Sequence, residues 1–283
     1  VNRISAMEST TFKSGLEYLG GSGVVLSPEQ RAKLQTSLVI LKQEQKFQKV
    51  YLWGRISGIK DDYFIAKGVG QDELSDTRAL YSKDCMEWGV LPVATPEIKA
   101  KAALARGRFT GDPSHDFEHV EVKRIPGEGD EIHEEEETIT IKEEERLAAV
   151  VAEIDSDVAI VPRGAFVRTP NGQVVENRSF EGLSVADSCK LTSYLHFRGS
   201  GELHRRRQLE FAGADKAIDF LDPIAEDIPL GSWGVVYERG SGLVCLRSHL
   251  WPGYYFYHVP GTRLYGSFYA GVGQKNLDLA FML

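Results

Sequence analysis

The sequence His115-Asp116-Phe117-Glu118-His119 carries the strongest chemical signal in the chain, because it fits H-x-x-E-H, the order in which some metalloproteases present two zinc ligands and a general base. That chemistry needs a helix, which sets the two imidazoles one turn apart on one face. Phe117, then Val120 and Val122 among Glu121 and Lys123, read instead as an extended segment. In a strand the two rings would stand about 13 Å apart, beyond the reach of a single zinc ion. Histidines on an exposed strand are the expected outcome, and a zinc hydrolase using His115, Glu118 and His119 is the alternative. Other catalytic patterns are missing. There is no G-x-S-x-G elbow, Gly271-Val272-Gly273 lacks the third glycine of a dinucleotide fingerprint, and Gly20-Gly21-Ser22-Gly23 lacks the G-K-[ST] of a phosphate loop. The reading is a non-enzymatic chain with no catalytic residue, no metal and no cofactor.

A second group of chemistry-bearing residues lies near the C-terminus. Between Trp233 and Leu283 stand 11 of the 28 aromatic residues and only six charged ones. Gly and Pro break the run into strand-length pieces, Trp233 to Glu238, Leu243 to Ser248, Tyr254 to Val259 and Leu264 to Ala270, which predict a four-stranded antiparallel meander. Alternation leaves neither face polar, since Tyr254, Phe256 and His258 oppose Tyr255, Tyr257 and Val259. Uncovering even four such rings would expose roughly 600 to 1,000 Å² of surface, more than a soluble monomer tolerates in one patch. The expectation is that the chain's own helices cover one face and another protein covers the other. Trp233, Tyr237, Trp251, Tyr254 and Tyr257 are the candidate partner-binding anchors, because Trp and Tyr dominate interface hot spots. A carbohydrate-binding module, with these rings stacked on sugars, is the alternative from another class.

These residues must be positioned by the elements before them. Phe12, Leu16 and Leu19 recur at helical spacing and stop at the glycine run. Ser27-Pro28-Glu29-Gln30 then opens a second helix with a capping box, and Leu34, Leu38 and Leu41 carry its apolar stripe. Val50 to Ile56 and Tyr63 to Val69 predict a hairpin, Leu80 to Thr95 is mixed, and Pro96 opens a short helix. Glu128 to Glu137 holds seven acidic residues in ten and predicts a solvated loop. Leu147, Val150, Val151 and Ile154 predict an amphipathic helix from about Glu143. Val158 to Val161, Phe166-Val167 and Val174-Val175 suggest another hairpin, and Ser184 caps a helix that should reach His196. His204-Arg205-Arg206-Arg207 is a lone basic cluster, too isolated to be a nucleic-acid patch.

Composition narrows the class. A net charge of −8 over 283 residues argues against nucleic acid or an anionic membrane as partner. No apolar run approaches membrane-span length, the first twenty residues lack a signal peptide's hydrophobic centre, and the expected compartment is the cytoplasm. Cys85, Cys189 and Cys245 are too far apart for a C-x-x-C pair and read as buried thiols. The elements sum to one α+β domain over 1–283. It would hold an N-terminal helical hairpin at 1–46, mixed and antiparallel sheets with β-hairpins, an acidic loop at 126–137 and an aromatic-rich antiparallel β-meander at 231–283.

Ordered strings along the whole chain resemble the radial spoke head protein 9 family of motile cilia and flagella. They are Trp53-Gly54-Arg55-Ile56 with Asp62-Tyr63 and Ile65-Ala66, Glu87-Trp88 with Leu91-Pro92, and Gly107-Arg108-Phe109 with Gly111-Asp112-Pro113-Ser114. Further along come Pro162-Arg163-Gly164-Ala165, Phe180-Glu181-Gly182-Leu183-Ser184, and Asp227-Ile228-Pro229 with Gly231-Ser232-Trp233. Trp251-Pro252-Gly253, Phe256-Tyr257-His258 and the final Phe281-Met282-Leu283 complete the set. The resemblance implies a structural subunit of the axonemal radial spoke head in the ciliary cytoskeleton. It further implies packing against other spoke head proteins, especially the larger proteins 4 and 6, with indirect links to the spoke stalk and central apparatus. Mechanical signals between the central pair and the dyneins would pass through that assembly.

Overall fold

The structure is a computed structural model that describes residues 12–20, 23, 26–126, 132–201 and 215–282; side chains at 13, 14, 121–126 and 132–137 fall outside that description. The stretch Glu128 to Glu131, the basic cluster His204 to Arg207, and Gly21 and Ser22 of the glycine run also lie outside the described residues.

Helices α1 (Phe12–Tyr18) and α2 (Pro28–Glu44) come first. The capping box forms as its residues require, with Gln30 N–H donating to Ser27 Oγ at 3.1 Å and Ser27 N–H to Gln30 Oε1 at 3.0 Å. Strands β1 (Lys49–Ile56), β2 (Tyr63–Val69), β3 (Thr77–Ser82) and β4 (Gly89–Val90) then make an antiparallel meander. The predicted hairpin is its first half. The stretch from Leu80 supplies the rest.

After α3 (Pro96–Leu104), strands β5 (Asp116–Pro126) and β6 (Ile132–Lys142) pair as a long hairpin, and α4 (Glu143–Val158) follows directly. The expected acidic loop at 126–137 is therefore corrected. Residues 132–137 form backbone ladder opposite 121–126, in a register that sets Lys123 against Glu135 and Arg124 against Glu134. Strands β7 (Ile160–Pro162), β8 (Phe166–Arg168), β9 (Val174–Glu176) and β10 (Tyr194–His196) form two small sheets, β8 with β9 and β7 with β10. The expected helix from Ser184 to His196 is cut to Val185–Ser188 and one 3-10 turn. Pairing with β7 draws Tyr194–His196 into an extended conformation instead.

Strands β11 (Trp233–Glu238), β12 (Leu243–Ser248), β13 (Tyr254–His258) and β14 (Tyr265–Gly271) form the C-terminal meander, within one residue of the expected boundaries. The two meanders join through one parallel ladder between β1 and β14, giving an eight-stranded sheet in the order β11-β12-β13-β14-β1-β2-β3-β4. At this seam Gly54 lies opposite Tyr269, and a Cβ there would stand 2.3 Å from the Tyr269 carbonyl oxygen. Only glycine permits so close an approach. A bulge between Leu52 and Gly54 inserts Trp53 as an extra residue. It reverses the parity of β1, so Leu52 faces one side of the sheet while Trp53 and Ile56 face the other.

Both faces are buried by the chain itself. On the first, Ile65, Leu246, Phe256 and Tyr269 meet Leu147, Val151 and Ile154 of α4, together with Ile160, Tyr194 and Leu221 beyond it. On the second, Leu52, Phe64, Tyr255, Tyr257 and Phe268 meet Phe12 and Leu19 near α1 and Leu34, Leu38 and Leu41 of α2. Tyr18 stacks on Tyr257 at 5.3 Å between ring centroids. The expectation that another protein must cover one face is overturned. The N-terminal helices, more than 200 residues away in sequence, occupy that place.

Helix α4 is fastened to the sheet at both ends. At its N-terminus the fully buried Glu143 accepts from Tyr63 Oη at 2.7 Å, Gly111 N at 2.7 Å, and Thr110 N and Oγ1 at 2.8 Å each. One turn on, the Arg146 guanidinium sits between the rings of Phe109 and Phe117, 4.6 and 4.5 Å from their centroids. Near its C-terminus Asp155 accepts from Trp53 Nε1 at 2.7 Å and pairs with Lys67. Asp157 accepts from Trp251 Nε1 at 2.9 Å and pairs with Lys275 at 2.8 Å. One aspartate holds the N-terminal meander, the other the segment leading into β13.

The buried His258 joins the 183 segment to the sheet. Leu183 N–H donates to its Nε2 at 3.3 Å, while Nδ1 faces the Leu264 carbonyl at 3.2 Å. Those partners fit a neutral ring carrying its proton on Nδ1, and burial pushes the imidazole down to about 4.

Two outcomes follow from this packing. Gly54→Val should lower stability by roughly 3 kcal/mol in urea unfolding, because backbone surrounds the missing Cβ; an unchanged midpoint would place the seam elsewhere. For His258, the unfolded chain binds a proton between about pH 6.5 and 4 that the folded chain refuses. Stability should therefore be fully present above pH 6.5 and fall as pH drops, by at most about 1.4 kcal/mol per unit from this group. His258→Gln should show a shallower loss than the parent from pH 7 to 4.5, and parallel curves would contradict the assignment.

Candidate interaction surface

The five aromatic residues expected to bind a partner separate by burial. Trp233 is enclosed, its Nε1 donating to Asp227 Oδ2 at 2.7 Å, and the other Asp227 oxygen meets His196 Nε2 at 2.7 Å. Trp251 is enclosed between Asp157 and Lys275, whose ammonium lies 5.8 Å from the ring centroid. Tyr254 packs edge-on against Trp233, and Tyr257 lies under Tyr18. Four of the five are thus core residues of the folded chain. Tyr237 alone among them reaches solvent, at 37 % exposure. A sugar platform needs its rings open to solvent, and those four are closed off.

The two histidines stand as a strand dictates. His115 is exposed just before β5, with its ring edge-on to Phe117, while exposed Glu118 and half-buried His119 follow within the strand. Among the described residues no three His, Cys, Asp or Glu side chains gather in a group able to hold a metal ion. Cys85 and Cys245 are buried and Cys189 is exposed, which corrects the reading of all three thiols as buried. Burial pushes the Cys85 thiol up to about 12, so it is no nucleophile.

What the surface does offer is an edge of the large sheet, whose order ends in β11 on one side and β4 on the other. Strand β11 ends the strand order and pairs with β12 alone. Ser232 O accepts from His249 N–H at 2.8 Å, and Glu238 O accepts from Gly242 N–H at 2.8 Å. Even-numbered residues therefore turn their backbone groups toward β12, and Val235 and Tyr237 turn theirs outward. Among the described residues nothing takes those outward groups. Exposed apolar side chains accompany the edge: Val236 at 54 %, Ile228 at 92 % and Leu230 at 75 %. Natural proteins blunt free edges with charge, proline or covering loops, and an apolar uncovered one is a template for another strand.

Comparison with known proteins gives the family. The profile described as "Radial spokehead-like protein" matches residues 5–148. A radial spoke head protein 9 homolog of Danio rerio is 51 % identical over 278 residues, covering 98 % of this chain and all of the relative. Homologs of the same description from Bos taurus and Homo sapiens are 50 % and 48 % identical over 277 residues, with the same coverage. The chain belongs to the radial spoke head protein family, whose place is the axoneme of cilia and flagella. Among the described residues no helix is long and apolar enough to cross a membrane.

The residues that sequence reasoning missed are Asp155, Asp157 and Asp227, which hold Trp53, Trp251 and Trp233. A signal was present for two of them. Asp155 and Asp157 end a helix with no basic residue in its last turn, where the helix dipole favours cations, so their carboxylates need tertiary partners.

Burial separates the anchors in measurable terms. Trp233→Phe leaves Asp227 without its indole donor and should cost about 2 kcal/mol of stability, whereas Tyr237→Ala should fall within about 0.5 kcal/mol of the parent. Equal losses in denaturant unfolding would contradict this division.

Proposed function

We propose that this chain is a non-enzymatic structural subunit of the radial spoke head. In this reading its 283 residues act as one α+β unit that joins other spoke head proteins, the larger proteins 4 and 6 foremost. Through them it helps pass mechanical signals between the central pair apparatus and the dyneins. The relatives named as radial spoke head protein 9 homologs support the setting. The observation that carries the mode of assembly is the β11 edge, where outward backbone groups lie beside Val236 and Tyr237. A strand of a larger spoke head protein adding to this edge would satisfy those backbone groups and cover the exposed apolar side chains together. Of the five aromatic anchors, Tyr237 fills that role from the surface. Trp233, Trp251, Tyr254 and Tyr257 support it from the core by keeping the edge rigid.

A sheet closed on both faces and tied to one long helix suits such a role, since force applied at an edge passes into the whole body. Co-expression with a larger spoke head protein, followed by size-exclusion chromatography, tests the edge. The parent chain should co-elute with its partner. Tyr237→Pro removes an outward N–H without touching the β12 ladder, and Val236→Lys places a charge on the edge. Both should elute separately from the partner while their unfolding midpoints stay near the parent's. Co-elution of both variants at parental yield would sink this mode of assembly.

A further inference from the structure

A cavity of about 370 Å³ lies between the first face of the sheet, α4 and the segment around Phe197. Its volume falls within the range of small-molecule sites, which are concave, mostly apolar, and carry a few convergent polar groups. Rings from distant parts of the chain wall it: Tyr51, Trp53, Phe166, Phe197 and Tyr265. Phe166 and Phe197 lie 4.5 Å apart between centroids, and Trp53 is held in place through its Nε1 by Asp155. These walls are held in fixed orientation, and none of the described residues fills the space between them.

The charges along the cavity select a class of ligand. Lys49 is taken by both Glu73 and Glu176, and Lys67 by Asp155. Arg198 differs. It lines the same cavity, and among the described residues no carboxylate or carbonyl accepts from its guanidinium, whose Nε is buried without a hydrogen-bond partner. A buried donor on a cation is costly to leave unmet, and a planar guanidinium matches the paired oxygens of a carboxylate, sulfonate or phosphate. Lys49 already faces two carboxylates, so the anionic end belongs at Arg198 and not there. Aromatic walls accept a flat ring system by offset or edge-on stacking.

We propose that this cavity is a binding site for a flat aromatic anion, its acidic group paired with Arg198 and its ring system held among Trp53, Phe197 and Tyr265. The site is separate from the β11 edge, so the failure of either proposal leaves the other standing.

Anilinonaphthalene sulfonate, an aromatic sulfonate with a flat naphthalene ring whose emission rises in apolar surroundings, is a direct probe for the full-length chain. It should bind saturably at one molecule per chain and quench tryptophan emission. Arg198→Gln removes a guanidinium that, among the described residues, holds no other side chain or carbonyl, and should weaken binding by about tenfold or more at an unchanged unfolding midpoint. Ser156→Phe, which fills the space from α4, should abolish binding. Should that variant fail to fold, Arg198→Gln alone decides. Absence of saturable binding, several equivalent molecules per chain, or parental affinity in either folded variant would overturn the proposal.

Discussion

The structure depends on how one helix bridges a seam. Two four-stranded meanders, one early and one late in sequence, touch along a single parallel ladder of three residue pairs. That ladder is short, and parallel pairing is slightly weaker per residue than antiparallel. Helix α4 compensates by packing along the first face and by reaching both sides. Glu143 takes Tyr63 and the 110–111 loop, Asp155 takes Trp53 and Lys67, and Asp157 takes Trp251 and Lys275. Hydrogen bonds to charged groups contribute about 1.5 to 3 kcal/mol each, so these tryptophan contacts rival the ladder itself. The aspartates sit at the end of α4 where the dipole opposes them, and the two lysines offset that cost.

Closing the sheet on both faces changes what the aromatic residues are for. An eight-stranded sheet with large rings on each side cannot remain open in water, and here α1 and α2 seal one side while α4 and segments 160–197 and 220–224 seal the other. With both faces closed, the β11 edge keeps outward backbone groups that no described residue takes. The same enclosure fixes the rings around the cavity beside Arg198, where packing of three distant segments leaves room for a ligand.

Local features of this fold were legible in the sequence wherever a residue pattern acts on its own neighbours. The Ser27 capping box, the stripe of Leu34, Leu38 and Leu41, and the four C-terminal strands all follow from spacing and turn residues. What failed was long-range. Nothing in Phe12 or Leu19 tells which of two apolar faces they will cover, so the sequence alone points to a partner for the second face. Tyr194 to His196 carries a helical stripe that ladder pairing with Ile160–Pro162 overrides. Repulsion among the glutamates at 134–137 argued for a loop, but the register opposite 121–124 draws the backbone into a strand. From the sequence Trp233 and Trp251 are expected as partner anchors, and the fold buries both. Their roles, however, were set by aspartates that only the fold brings near them.

The central claim is that the two meanders unfold as one body because α4 holds their seam. Amide hydrogen exchange on the isolated chain, followed residue by residue, tests it most directly. The slowest amides of β1, β2, β13, β14 and α4 should share one opening free energy, equal to that of global unfolding. Two separate values, one for the strands of 49–90 and another for those of 233–271, would mean that the meanders open independently and that the helix does not join them.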